Sequence, residues 1–273
     1  FALGNDLPYM TFLPTYAAIN WYHTGQKGTL DKVIEEANAF ALGPYALALI
    51  QGNALPKEEK GKIAEKLAEL TGLNRYFIEA ADLRVDWLKF AKRRFDNDRK
   101  IVSRFDGRFL GYDMDPLSCN NYSDPTLDML APAFTSTINQ YLTQVLKWEK
   151  DLEYEVLTQV GPWDYAAKAT NQYLNMNKDL LELMSRDSGV KVFVANGYYD
   201  LATPFMASEY TFNHLPIAEP LRKNITFANY AAGHMMYINQ KELVRLSTDL
   251  RKFITGAAAA RSAHPGQVSN GKD

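Results

Sequence analysis

Val190-Lys-Val-Phe-Val-Ala-Asn-Gly-Tyr-Tyr-Asp200-Leu-Ala-Thr-Pro204 is a β-type run that ends at an aspartate, with a proline placed to open the next helix. A second β-type run, Ile225–Tyr230, leads into Ala232-Gly-His234-Met, and helical sequence separates the two. The grammar is strand, Asp, helix, strand, Gly-His, helix. An aspartate at a strand end is held by a rigid element while its loop opens it to a neighbour. Gly233 allows the tight approach that the histidine loop needs. Asp200 and His234 are therefore the candidate catalytic residues: an acid that fixes a tautomer, and a base that takes a proton from a nucleophile. Met235 and Met236 read as pocket lining or core.

Asp followed by His is the chain order of the last two triad members in an α/β-hydrolase. No Gly-x-Ser-x-Gly elbow accompanies them, and no serine sits on a strand-to-helix turn between glycines. Ser208 lies on the wrong side of the acid in chain order, and Ser188 opens a strand rather than closing one. The plainer readings of the pair are a turn-forming Asp and a structural His. The joint order favours the triad.

Outward from this core the pattern is helical. Residues 1–25 are rich in aromatic residues and proline and read as a buried, irregular segment. Helical spacing runs from 29 to 42 and ends at Gly43-Pro44; a second helix follows Pro56 and stops at Thr71-Gly72. Residues 74–97 read as two helical pieces, with Asp82 capping the second. Asp106-Gly107 in Ser-Arg-Phe-Asp-Gly-Arg-Phe-Leu is a hairpin signal, and 126–147 is a long helix. Trp163 sits in a rigid connector. Helix 170–186, strand 190–196, helix 204–214, strand 225–230 and helix 240–255 close the chain. The expected fold class is α/β: the C-terminal part of an α/β-hydrolase fold with a large, mostly helical cap. Its segments are an opening core segment (1–25), the cap (26–170), the core (171–256) and a frayed tail (257–273). Two parallel strands cannot be buried on both faces, so the sheet calls for further strands. The first residues, Phe-Ala-Leu-Gly-Asn-Asp, carry no signal-peptide pattern and read as a cut inside a domain.

The chain has 273 residues, 47% of them hydrophobic and 23% charged, with a formal charge of −2. That balance fits a globular core and excludes an electrostatic case for nucleic acid or an anionic membrane. The basic cluster Lys89, Lys92, Arg93, Arg94, Arg99 and Lys100 is interrupted by Asp96 and Asp98 and reads as a solvated helix end. No apolar run reads as a transmembrane helix. Cys119, the one cysteine, forms no internal disulfide. His23 reads as a surface or pocket-rim residue, His214 as a helix-end cation, and His264 as part of the tail. No metal-ligand spacing and no phosphate loop implies a cofactor.

Four segments together resemble bacterial members of the serine carboxypeptidase family. They are Gly4-Asn-Asp-Leu-Pro-Tyr with Leu13-Pro-Thr-Tyr-Ala-Ala, Arg104-Phe-Asp-Gly-Arg-Phe109, Asn196-Gly-Tyr-Tyr-Asp-Leu-Ala-Thr-Pro204 and Ala232-Gly-His-Met-Met-Tyr237. The resemblance implies hydrolysis of a C-terminal peptide bond through an acyl-enzyme, with Asp200 as acid and His234 as base. It implies a peptide with a free C-terminus as partner and a periplasmic or secreted parent. The family's Gly-Glu-Ser-Tyr-Gly motif has no match, so the chain by itself is expected to be inactive. An esterase or acyltransferase of the same fold, or a non-catalytic binding module, are the alternatives.

Overall fold

The computed structural model describes residues 1, 4–118, 122–148, 154 and 174–263. Cys119, Trp163, His264 and the start of the expected 170–186 helix lie outside them. The architecture is mixed α/β and mostly helical, with two small two-stranded sheets among the described residues.

The opening segment is a helix, α1 (Leu7–His23), rather than an irregular stretch. Pro8 falls in its first turn, where a missing N–H costs nothing. Pro14 is interior and costs a backbone bond, which burial offsets: Leu13, Tyr16, Ala17, Ala18 and Ile19 are all in the core. The aromatic and proline content hid a helix that packs against α2 (Leu30–Phe40), α4 and α9, the last two defined below. Thr29 caps α2 through Lys32 N–H.

Gly43-Pro44 does not end this helix. A π turn (Ala41–Tyr45) absorbs the proline's missing donor, and α3 (Ala46–Gln51) continues it. Tyr45 anchors the continuation, its buried hydroxyl donating to Leu83 O at 2.6 Å. The run Leu30–Ala54 thereby becomes long enough, with an 18-residue window apolar enough (mean hydropathy 1.3), to match a membrane span by length and composition alone, where the sequence expectation had no such run. Ile34, Ala37, Ala41, Tyr45, Ala48 and Leu49 bury one face of it in the protein core.

Helix α4 (Lys57–Thr71) stops as expected, with Gly72 left-handed at φ +69°. In the next stretch, α5 (Arg75–Ala80) and α6 (Trp87–Arg93) form, but Asp86 caps α6 through Lys89 N–H at 2.9 Å. Asp82 instead takes a positive φ in the turn between them. The basic cluster is not simply solvated. Lys92, 1% exposed, donates to Asp113 Oδ1 and Asp115 O, each at 2.8 Å. Arg94 clasps Asn20 of α1 at 2.7 and 3.1 Å. The cluster therefore ties α6 to its neighbours.

Strands β1 (Lys100–Val102) and β2 (Leu110–Tyr112) pair antiparallel, so the hairpin exists, but its connection is the whole loop 103–109 rather than a tight Asp-Gly turn. Ser103 Oγ, fully buried, organises that loop. It bonds Asp124 Oδ1 at 2.8 Å and Thr126 Oγ1 at 2.7 Å, and accepts the N–H groups of Phe105 and Asp106. Helix α7 (Pro125–Gln140) follows, capped by Asp124, and passes into a π turn at Tyr141–Val145.

Beyond the undescribed stretch come α8 (Asn177–Arg186), β3 (Val192–Gly197), α9 (Phe205–Asn213), the short α10 (Glu219–Arg222), β4 (Ile225–Tyr230) and α11 (Gln240–Ala263). β3 and β4 pair parallel, Val192 opposite Ile225 through Gly197 opposite Tyr230. Val192–Ala195 stay only half-buried while Asn196 and Gly197 are buried. The sheet is thus covered at its C-terminal end, where the candidate site lies. α11 runs past the expected stop at 255 through the alanines from 257, the best helix formers.

Candidate functional site

β3 and β4 end side by side, which sets Asp200 and His234 on adjacent loops. His234 Nδ1 lies 2.9 Å from Asp200 Oδ2. An ionised carboxylate only accepts, so Nδ1 carries the hydrogen and Nε2 is left with its lone pair free. The acid is buried, 4% exposed in its side chain, while the imidazole is 40% exposed. The carboxylate is thereby shielded and the imidazole remains reachable.

Asp200 both shapes its own turn and holds the histidine. Oδ1 accepts Ala202 N–H at 2.7 Å and Thr203 N–H at 2.9 Å, which is the turn-forming role. Oδ2 takes the histidine and also the Thr203 hydroxyl at 2.7 Å. With its hydrogen committed to Asp200, Thr203 Oγ1 faces His234 Nδ1 at 3.2 Å and shares the imidazole hydrogen. Thr203 was invisible as a site residue in the sequence, because its part depends on the turn that Asp200 itself creates.

The larger surprise is the hairpin loop 103–109, which grips both site loops. Phe105 O accepts His234 N–H at 2.6 Å. Asp106 Oδ2 accepts Gly233 N–H at 3.1 Å. Arg108 pairs with Asp106 in a two-pronged fork (2.9 and 2.6 Å) and donates on to Ala231 O at 2.9 Å. On the acid side, Leu201 N–H reaches Arg104 O and Gly107 N–H reaches Tyr199 O, each at 2.9 Å. The Phe105 ring stands 5.4 Å from the imidazole, edge to face. The hairpin signal located this loop, but no local pattern could reveal that it meets residues more than a hundred positions away.

Close approach explains the glycines. A Cβ on Gly233 would lie 2.3 Å from Phe105 O, and one on Gly197 would lie 2.2 Å from Gly233 O. Three backbone segments stack with no room for a side chain between them.

Of the other histidines, His23 is half-buried beside this loop, its Nε2 2.9 Å from Gly107 O. Burial lowers its pKa against the partial support of that carbonyl. His214 ends α9, with Nδ1 2.8 Å from Tyr210 O. Neither joins the pair. Ser103 is sealed in its own network, and among the described residues no hydroxyl or thiol bonds His234 Nε2. No cluster there has metal-ligand geometry. A cavity of about 1200 Å³ between α3, α4 and α5 includes no residue of the pair. Most of its lining charges are paired with one another, as in Arg75 with Glu65 and Glu79.

The Asp200 hydrogen bond is the main cause that raises the His234 pKa above its ordinary value; burial and the charge of Arg104 oppose it. A raised folded-state pKa means that folding favours the protonated ring. The pair's contribution to stability is present in full below the unfolded pKa of about 6.5 and is lost as pH rises through the folded value. Asp200→Asn keeps an acceptor for the turn but removes the charge, leaving burial and Arg104 in control. The His234 pKa is then expected below the ordinary value, read from its ring resonances in an NMR titration. An unchanged pKa would show that the carboxylate does not govern the ring.

No family model, curated protein or solved structure matches the chain.

Proposed function

We propose that Asp200 and His234 are the acid and general base of a serine-type carboxypeptidase. In this reading the fold is the C-terminal part of an α/β-hydrolase, its helical block is the cap, and the nucleophile comes from sequence outside these 273 residues. The observation that carries it is the Asp200–His234 hydrogen bond at the C-terminal ends of two adjacent parallel strands. It leaves an accessible, unprotonated Nε2. Such a nitrogen takes the proton from a serine hydroxyl as it attacks a peptide carbonyl, then returns it to the leaving amine. The buried carboxylate stabilises the imidazolium formed between those steps. The four motif segments carry the choice of a peptide with a free C-terminus over other acyl substrates.

The test has two arms. The chain alone is expected to resist labelling by a fluorophosphonate and to release no amino acid from a blocked dipeptide. Joined to a parent segment bearing Gly-x-Ser-x-Gly after a hydrophobic strand, it is expected to gain both, and His234→Ala is expected to remove hydrolysis. Labelling of the isolated chain at one of its own serines would overturn the reading. So would a complemented enzyme that turns over simple esters but never a blocked dipeptide.

A further inference from the structure

Arg108, in the loop that grips the pair, is held by the carboxylate of Asp106, as Lys92 and Arg84 elsewhere in the protein are held by Asp113 and Asp6. Arg104 is not. Among the described residues its guanidinium meets no carboxylate and donates no hydrogen bond, and its Nε is fully shielded without a partner. A buried donor left unpaired costs free energy until an acceptor arrives.

Its position is nevertheless tightly set. The backbone N–H of Arg104 donates to Tyr122 Oη at 2.6 Å and Asp124 Oδ2 at 2.7 Å, and its carbonyl receives Leu201 N–H from the acid loop. The next residue carries the carbonyl that holds His234. The guanidinium lies over the Trp87 ring, 4.6 Å from its centroid, and Trp87 in turn meets Tyr122 edge-on at 5.3 Å. An aromatic stack of this kind orients the planar fork without consuming its N–H donors. Arg104 thus presents an oriented, undercommitted cation next to the base, close enough for its charge to depress the His234 pKa.

We infer that Arg104 is a carboxylate-binding residue of this site and that it takes the free C-terminal carboxylate of a peptide. The ligand rests on the carboxypeptidase reading; the unpaired cation stands on the geometry alone. A planar guanidinium matches a carboxylate with two parallel hydrogen bonds, which a neutral amide cannot reproduce. Binding there would engage the terminal N–H groups of the guanidinium and hold the terminal residue beside His234.

The experiment titrates the intact chain with N-acetyl-L-alanine and, separately, with its amide, following the His234 ring resonances by NMR. The acid is expected to give a saturable shift with an affinity about tenfold above that of the amide, the scale of hydrogen bonds to a charged group. Arg104→Gln is expected to erase that preference and to raise the His234 pKa; Arg104→Lys is expected to restore part of both. Equal affinity for acid and amide, no saturable shift with either, or a preference that survives Arg104→Gln would overturn the assignment. If Arg104→Gln does not fold, the Lys variant and the acid–amide comparison on the unaltered chain still decide it. Failure of the enzymatic reading shows instead as absent hydrolysis in the complemented enzyme, with the acid–amide difference intact.

Discussion

Asp106→Ala is expected to lower the unfolding free energy by about 3–5 kcal/mol, the scale for removing one partner of a buried ion pair. The carboxylate is 2% exposed and the Arg108 guanidinium 13%, so solvent screens the pair weakly. The substitution leaves three groups stranded. The Arg108 guanidinium keeps only its hydrogen bond to Ala231 O, and the backbone N–H groups of Arg108 and of Gly233, which sits beside His234, lose their acceptor. Urea unfolding monitored by tryptophan fluorescence measures the loss. Asp106→Asn, which keeps an acceptor but not the charge, is expected to cost about 1–3 kcal/mol. The His234 pKa adds a readout that a distant structural defect would not move: released from its loop, the ring is expected to drift toward its ordinary value. A variant within 1 kcal/mol of the unaltered chain (a bound set by the weakest surface pairs) would show that Asp106 does not clamp the histidine loop.

Gly233→Ala is expected to cost about 3 kcal/mol, the upper range for overpacking a closed site. The new methyl would meet Phe105 O at 2.3 Å and Asp106 Cα at 2.5 Å. Both are backbone atoms, so no side chain can swing aside, and relief requires parting the hairpin loop from the histidine loop. That movement breaks the Phe105 O to His234 N–H bond, coupling the stability loss to the site. Gly43→Ala is the control, because nothing lies within 4 Å of a Cβ there and its φ is not in the left-handed region. Thermal unfolding of both variants checks the contrast, and equal midpoints for the two would refute the close-contact argument.

Both predictions concern the loop 103–109, which shows where sequence reading succeeds and where it stops. Amphipathic spacing and terminal signals located α4 and its Gly72 stop, and the β-type runs located β3 and β4, because those signals act within a few residues. Pro14 and Gly43-Pro44 misled for the opposite reason. As local breakers they argue against helix, yet burial of Leu13, Tyr16 and Ile19, and of Tyr45 and Leu49, outweighs one lost hydrogen bond. Lys92 misled likewise: a lysine in a basic run reads as solvated, until a carboxylate twenty-one residues away meets it in the interior.

The candidate site divides along the same line. Asp200 and His234 were legible from residue order alone, since a strand end followed by Asp and a strand end followed by Gly-His place two side chains on neighbouring loops once the strands pair in parallel. Gly233 was legible as a point of close approach, though not the backbone it approaches. Thr203, Phe105, Asp106, Arg108 and Arg104 were not legible, because their parts arise only when the hairpin packs across the ends of β3 and β4. Short-range pattern is written in the chain as spacing and turn chemistry. A contact spanning more than a hundred residues leaves no such mark, and exists only through the packing that closes the fold.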